Sequence, residues 1–455
     1  MTTHARFAGA AAGRPGAARG ALLALAALAT LLACDTDDIL TAEDPDVLTP
    51  RTLNDSSALP TVLAGTIGNF QIAYSGGADL SNGGHEGQIN VAGLFTDELL
   101  SAETFPDRIG VDQRTVFPGN GSMGGVFLDL SRARAFAEFA STRFLEFAPG
   151  SADHAEVLSI AGFTYVLFAE NYCSGVPFSY LQDDGSVELG TPLTRDETLT
   201  LAMAKFDSAL TFAAAAEDEE QLHLASVGKA RALLDLGRPA DAAAAVADVP
   251  LDFEYVVESS DNSTRQNNGV WNYTFNSSSF SVSDVEGGNG LPFASAEDPR
   301  VPSAPGGVGF DGTTDLILQL KYPDETSGAV LASGVEAQLI IAEAALAAGD
   351  VAGWLAALNA PRRGALAAPL PDLVDPGDAV GRLDLTFQER AYWLYLTSHR
   401  LGDLRRLVRQ YGRDAESVFP TGEHHKGQYG TDVNLPISGT ERNNPNFQQC
   451  LDRDA

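Results

Sequence analysis

Lysine and arginine are scarce in this sequence: 29 of them face 61 aspartates and glutamates over 455 residues, for a formal charge of −32. So acidic a surface repels phosphate backbones and anionic headgroups, which argues against nucleic acid as a partner. The acidity reads as solvation of the surface. Cysteine is limited to three positions. The seven histidines are scattered, and none falls in a metal-binding spacing such as HExxH. His424 and His425 form an adjacent pair on a glycine-flanked loop, so no metal is expected. There is no GxSxG elbow, no Walker loop and no Cys–His constellation, and nothing singles out one carboxylate pair for acid–base work. The expectation is a protein that is not an enzyme and carries no cofactor.

What is present describes a globular chain. Hydrophobic residues make up 44% and charged residues 20%, which is far from a disordered composition. The length suits one large domain or two ordinary ones.

The N-terminus reads as an export signal. Arg6, Arg14 and Arg19 precede a short apolar run, residues 21–32, which ends in Leu31-Leu32-Ala33-Cys34. A cysteine after Leu-Leu-Ala resembles a bacterial lipobox, so residues 1–33 are expected to be a lipoprotein signal peptide and Cys34 a lipid anchor. Residues 34–50 form an acidic tether without apolar periodicity. No later run is expected to cross a membrane. Cys173 and Cys450 remain, either as one disulfide or as two separate thiols.

Residues 387–407, FQERAYWLYLTSHRLGDLRRL, carry good helix formers, with Phe387, Ala391, Leu394, Leu401 and Leu404 along one side. With Tyr392, Trp393, Tyr395 and Leu396 added, most of the circumference is apolar. A single central buried helix is expected. The same stretch holds Glu389-Arg390, His399-Arg400 and Asp403-Leu-Arg-Arg406. It is followed by Asn434-Leu-Pro-Ile437, Glu441 and Asn443-Asn-Pro-Asn446. In this order the segments resemble the C-terminal signature of SusD/RagB-type outer-membrane nutrient-binding lipoproteins. Further matches are Thr96-Asp97-Glu98, the segment around Gly175-Val176-Pro177, and Asp298-Pro-Arg300. Departures stand at Trp393 and Thr397, where the family usually has acids, and at Ser398, where it has glycine. The chain thus looks like a divergent member.

The resemblance implies a mostly α, SusD-like fold of tetratricopeptide-type helical hairpins with a loop-rich cap containing short strands, in a single domain over residues 51–455. Helical repeats fall at about 128–250 and 334–411, and a Ser/Asn/Gly-rich insertion at 251–322. A first helix is expected at residues 53–70, and a capping box where Thr194 precedes Glu197. Asp97 and Glu98 read as solvated or capping carboxylates on a polar loop.

By the same resemblance the protein is an outer-membrane lipoprotein at the cell surface. It would capture a glycan, or a peptide, and pass it to a SusC-like TonB-dependent transporter. The alternative is a lipid-anchored helical-repeat scaffold that binds proteins. The irregular stretch 105–127 would contribute to the ligand pocket, and Phe105, Arg108, Arg114, Phe117 and Asn120 are the residues there able to stack on or hydrogen-bond a ligand. In the insertion, Asn268, Trp271 and Tyr273 are candidates because aromatic faces stack on sugars while amides hold hydroxyls. Against them, Trp271, Tyr273 and Phe275 alternate as a half-buried strand would, and core packing is the favoured reading.

Overall fold

The computed structural model describes residues 55–79, 86–182 and 186–455. The signal peptide, the tether, Cys34 and half of the glycine-rich loop 75–84 lie outside the described residues. The unit Asp55–Ala455 is mostly helical, with six two-stranded sheets among the described residues.

Pro60 at the start of Leu59–Ser75 sets the first helix later than the expected 53–70, because proline fits the first turn and not the interior. Gly121–Phe147 and Ala152–Asn171 follow, then Arg195–Ala216, Glu219–Asp235 and the short Pro239–Ala245. The Thr194 side chain accepts from the Glu197 amide and the Glu197 carboxylate accepts from Thr194, which is the expected capping box. Ala152–Asn171 lies against both Arg195–Ala216 and Glu219–Asp235. Small residues permit that closeness: a Cβ at Gly162 or Gly228 would strike the Phe206 ring.

Arg195–Ala216 is long and apolar enough to cross a membrane, contrary to expectation. It is here an amphipathic member of the stack, with Leu199, Ala202, Phe206 and Ala209 buried and Lys205 paired to Glu138.

The second helical set is Gly334–Ala347 and Val351–Gly364. Pro361 lies inside the latter. The set packs against the first repeats and against Ala379–Trp393. The expected continuous helix over 387–407 is broken into Ala379–Trp393 and Arg400–Arg409. Between them Leu396 and Ser398 adopt φ of +50° and +61°. The left-handed conformation at Ser398 is one that glycine adopts without strain. Its hydroxyl is held by Asn171 and Gln88.

The region 251–322 holds the strands Glu254–Val257, Phe280–Val282, Ser303–Val308 and Asp315–Gln319. Phe280–Val282 pairs antiparallel with Leu99–Ser101, and Ser303–Val308 with Asp315–Gln319. The strand expected at Trp271, Tyr273 and Phe275 is instead a helical turn, Gly269–Trp271, running into a π-turn, Asn272–Asn276. Asn268 caps that turn by accepting from the Trp271 amide, so the local cap overrides a short alternation. Cys173 and Cys450 are joined in a disulfide across 277 residues.

Candidate ligand-binding surface

Most of the predicted polar ligand residues are engaged within the fold. Arg114 is wholly buried at φ +56°. It donates to the carbonyls of Asp432 at 2.8 Å and Pro420 at 2.6 Å, and to Glu416 at 3.2 Å. Burial lowers its pKa, and Glu416 offsets part of that. Its role is to clamp the C-terminal segment. Asn268 is equally buried, capping one way and donating to the Ser327 carbonyl the other. Asn120 caps Gly121–Phe147 through Met123 and donates to the Asp107 carbonyl, which stitches the 117–121 turn to the helix Pro106–Asp112. Tyr273 is a core residue stacked on Phe280, and Trp271 is half-buried.

Phe105 and Phe117 are open, at 53% and 54% exposure. Phe105 has a partner that sequence reasoning missed. Phe310, 57% exposed, lies with its ring centroid 6.2 Å from that of Phe105 and tilted 31° to it. Phe310 sits on the tight turn Gly309-Phe-Asp-Gly312 between two strands. An aromatic ring at a glycine-flanked tip is the signal that could have found it. Its turn is pinned to the body by Phe310 N–H to the Ser278 carbonyl at 2.9 Å and Asp311 N–H to the Ala102 carbonyl at 3.0 Å.

Arg108 supports the pair from below. Its guanidinium lies 5.2 Å from the Phe105 centroid and 4.7 Å from that of Tyr273. It donates to Glu86 at 2.6 Å, Glu103 at 3.0 Å and the Tyr273 hydroxyl at 3.0 Å. Burial opposes its charge, but Glu86, Tyr273 and Glu103 outweigh burial and raise its pKa. On the other flank Lys426 pairs with Asp311. The result is two open rings on a rigid base whose neighbouring cations are already neutralised. Such a face can stack on the C–H surface of an uncharged ligand.

The expected solvated pair Asp97 and Glu98 is buried. Asp97 receives Arg400 and the Leu291 amide, and Glu98 receives the Leu396 amide. Arg300 of the Asp-Pro-Arg segment binds Asp298 and Glu389 and lies over Tyr392 and Trp393. Two of the resembling segments thus meet the helix Ala379–Trp393 and the helix Arg400–Arg409 through ion pairs, Asp97 with Arg400 and Arg300 with Glu389.

No family model matches the sequence, and no curated protein does. Solved structures do match. "Surface glycan-binding protein A" from Bacteroides uniformis has a TM-score of 0.63 at 14% identity, over 87% of this chain and 99% of that one. A SusD superfamily protein from Parabacteroides distasonis has 0.63 at 14%, over 89% and 100%. A SusD-like carbohydrate binding protein from Bacteroides vulgatus has 0.56 at 14%, over 77% and 83%. The chain therefore has the fold of the SusD superfamily, in a version divergent in sequence.

Proposed function

We propose that this protein is a non-catalytic, carbohydrate-binding surface lipoprotein. Cys34 is its lipid anchor in the outer membrane, and the bound glycan passes to a SusC-like TonB-dependent transporter. The observation that carries the binding role is the open Phe105–Phe310 ring pair over the ion-paired Arg108. Support for the rest comes from the lipobox-like N-terminus and from a fold shared with a surface glycan-binding protein.

The test is affinity electrophoresis and calorimetry with a panel of soluble neutral polysaccharides. Phe105→Ala and Phe310→Ala should each weaken binding about tenfold, the loss of one stacking contact, with melting temperature held. Retention of full affinity in both variants, or binding of peptides alone, would overturn the site or the cargo. Purification of the lipidated protein from outer membranes should also bring a TonB-dependent barrel in near-equal amount; recovery alone would remove the transporter from the reading.

A further inference from the structure

The hairpin Glu423–His424/Gly427–Gln428 folds two adjacent histidines back onto Asp112, the last residue of the helix Pro106–Asp112. One ligand atom from each of Asp112, His424 and His425 falls within 4.8 Å of the other two. Asp112 and His424 are buried, whereas His425 is exposed and leaves the cluster accessible from one side.

Two of the inward atoms are unsatisfied. The Asp112 Oδ1 and the His424 Nε2 are buried without a hydrogen-bond partner, an arrangement that is costly unless something else occupies the gap. The His424 Nε2 lies 3.0 Å from the Asp112 Oδ2, yet the two atoms are not aligned as donor and acceptor. A separation near that value is also the edge of a coordination tetrahedron: N and O ligands at ~2.0 Å from zinc lie about 3.3 Å apart.

Ser101 orients two of the three side chains, Asp112 and His425, as metal ligands are oriented. The Asp112 Oδ2 accepts from the Ser101 amide at 2.7 Å. The His425 Nε2–H donates to the Ser101 carbonyl at 2.9 Å, leaving the other ring nitrogen with its lone pair. Tyr429 stands edge-on to the His424 ring at 4.9 Å and donates its hydroxyl to Glu286, which adds a further carboxylate to the vicinity. The Lys426 amide donates to the His424 Nδ1 at 3.0 Å, which places the proton of neutral, metal-free His424 on Nε2. An ion bound at Nε2 would displace that proton.

We propose that Asp112, His424 and His425 form a site for a divalent transition-metal ion, zinc in the first instance, that fastens the hairpin to the body. Two imidazoles and one carboxylate suit zinc and its first-row neighbours; calcium and magnesium require oxygen cages. Lys426, next to His425, is the partner of Asp311, so the ion also steadies the turn that carries Phe310. The assignment does not depend on what the rings bind.

The experiment uses the full chain without a histidine tag, stripped with a chelator and titrated calorimetrically with Zn²⁺. Mg²⁺ and Ca²⁺ serve as controls, and the visible spectrum with Co²⁺ reports the ligand field. One saturable equivalent of Zn²⁺ and a Co²⁺ spectrum of nitrogen–oxygen type are expected. His425→Ala, an exposed position, should weaken Zn²⁺ binding at least about tenfold without changing the melting temperature of the stripped protein, and Asp112→Asn should also weaken Zn²⁺ binding. Absence of saturable uptake, or an unchanged dissociation constant in His425→Ala, would overturn the site.

Discussion

Asp97 and Arg400 meet in a two-point ion pair, Nε to Oδ1 at 2.6 Å and Nη2 to Oδ2 at 2.8 Å, although 303 positions separate them in the chain. Both are buried, and the Asp97 Oδ2 also accepts from the Leu291 amide at 2.9 Å. The pair joins the segment after the helix Gly87–Phe95, the loop-rich insertion and the helix Arg400–Arg409. Arg400→Ala leaves the carboxylate buried without its cation, and a loss of about 3–5 kcal/mol in denaturant unfolding is expected. Asp97→Asn added to it should cost less than the sum of the two single changes.

Glu98 gives stability a pH dependence. Burial pushes its pKa up to about 8 from 4.5, against the pull of the Leu396 amide and Arg400 and with that of Asp97. Between those values the folded chain holds a proton that the unfolded chain has released, so this contribution is complete at low pH and is lost as pH rises through 8. Buried Lys321 has the opposite sign: burial takes its pKa down to about 8 from 10.5, and its penalty lifts above that range. Glu98→Gln should therefore melt close to the parent protein at pH 5 and gain on it by pH 8, as read by paired thermal scans. A constant difference across that range would refute the assignment.

The Cys173–Cys450 bridge closes a loop of 277 residues and ties the C-terminal segment beside Ser174 and Gly175. Cys450→Ser should cost about 2–5 kcal/mol. Reductant should bring the parent protein's melting temperature down to that of the variant and leave the variant unmoved.

Asn268→Ala separates a capping role from a ligand role. Removing the cap on the Gly269–Trp271 turn and the bond to Ser327 should lower stability by about 1–2 kcal/mol. Glycan affinity, measured by calorimetry, should stay unchanged. A weakened affinity at constant stability would return Asn268 to the binding surface.

Local chemistry made much of the helical scaffold legible. The Thr194–Glu197 box acts within a few residues, where sequence distance and spatial distance agree. Local reading failed where two short-range signals competed. The alternation Trp271, Tyr273, Phe275 lost to the Asn268 cap, and the apolar run 387–407 lost to a left-handed turn at Leu396 and Ser398.

Sequence by itself determined the helix-forming segments, their caps and the order of motifs that points to a SusD-like fold, because each is encoded by neighbours in the chain. Tertiary structure alone decided which polar residues are spent on the fold and which side chains remain open. Arg114 and Phe105 stand nine positions apart, at either end of the helix Pro106–Asp112, yet one is clamped to carbonyls some 300 residues away and the other faces solvent beside Phe310. Burial and long-range pairing depend on where the rest of the chain comes to lie. No local pattern around residue 112 could announce that two histidines near residue 424 would close on it.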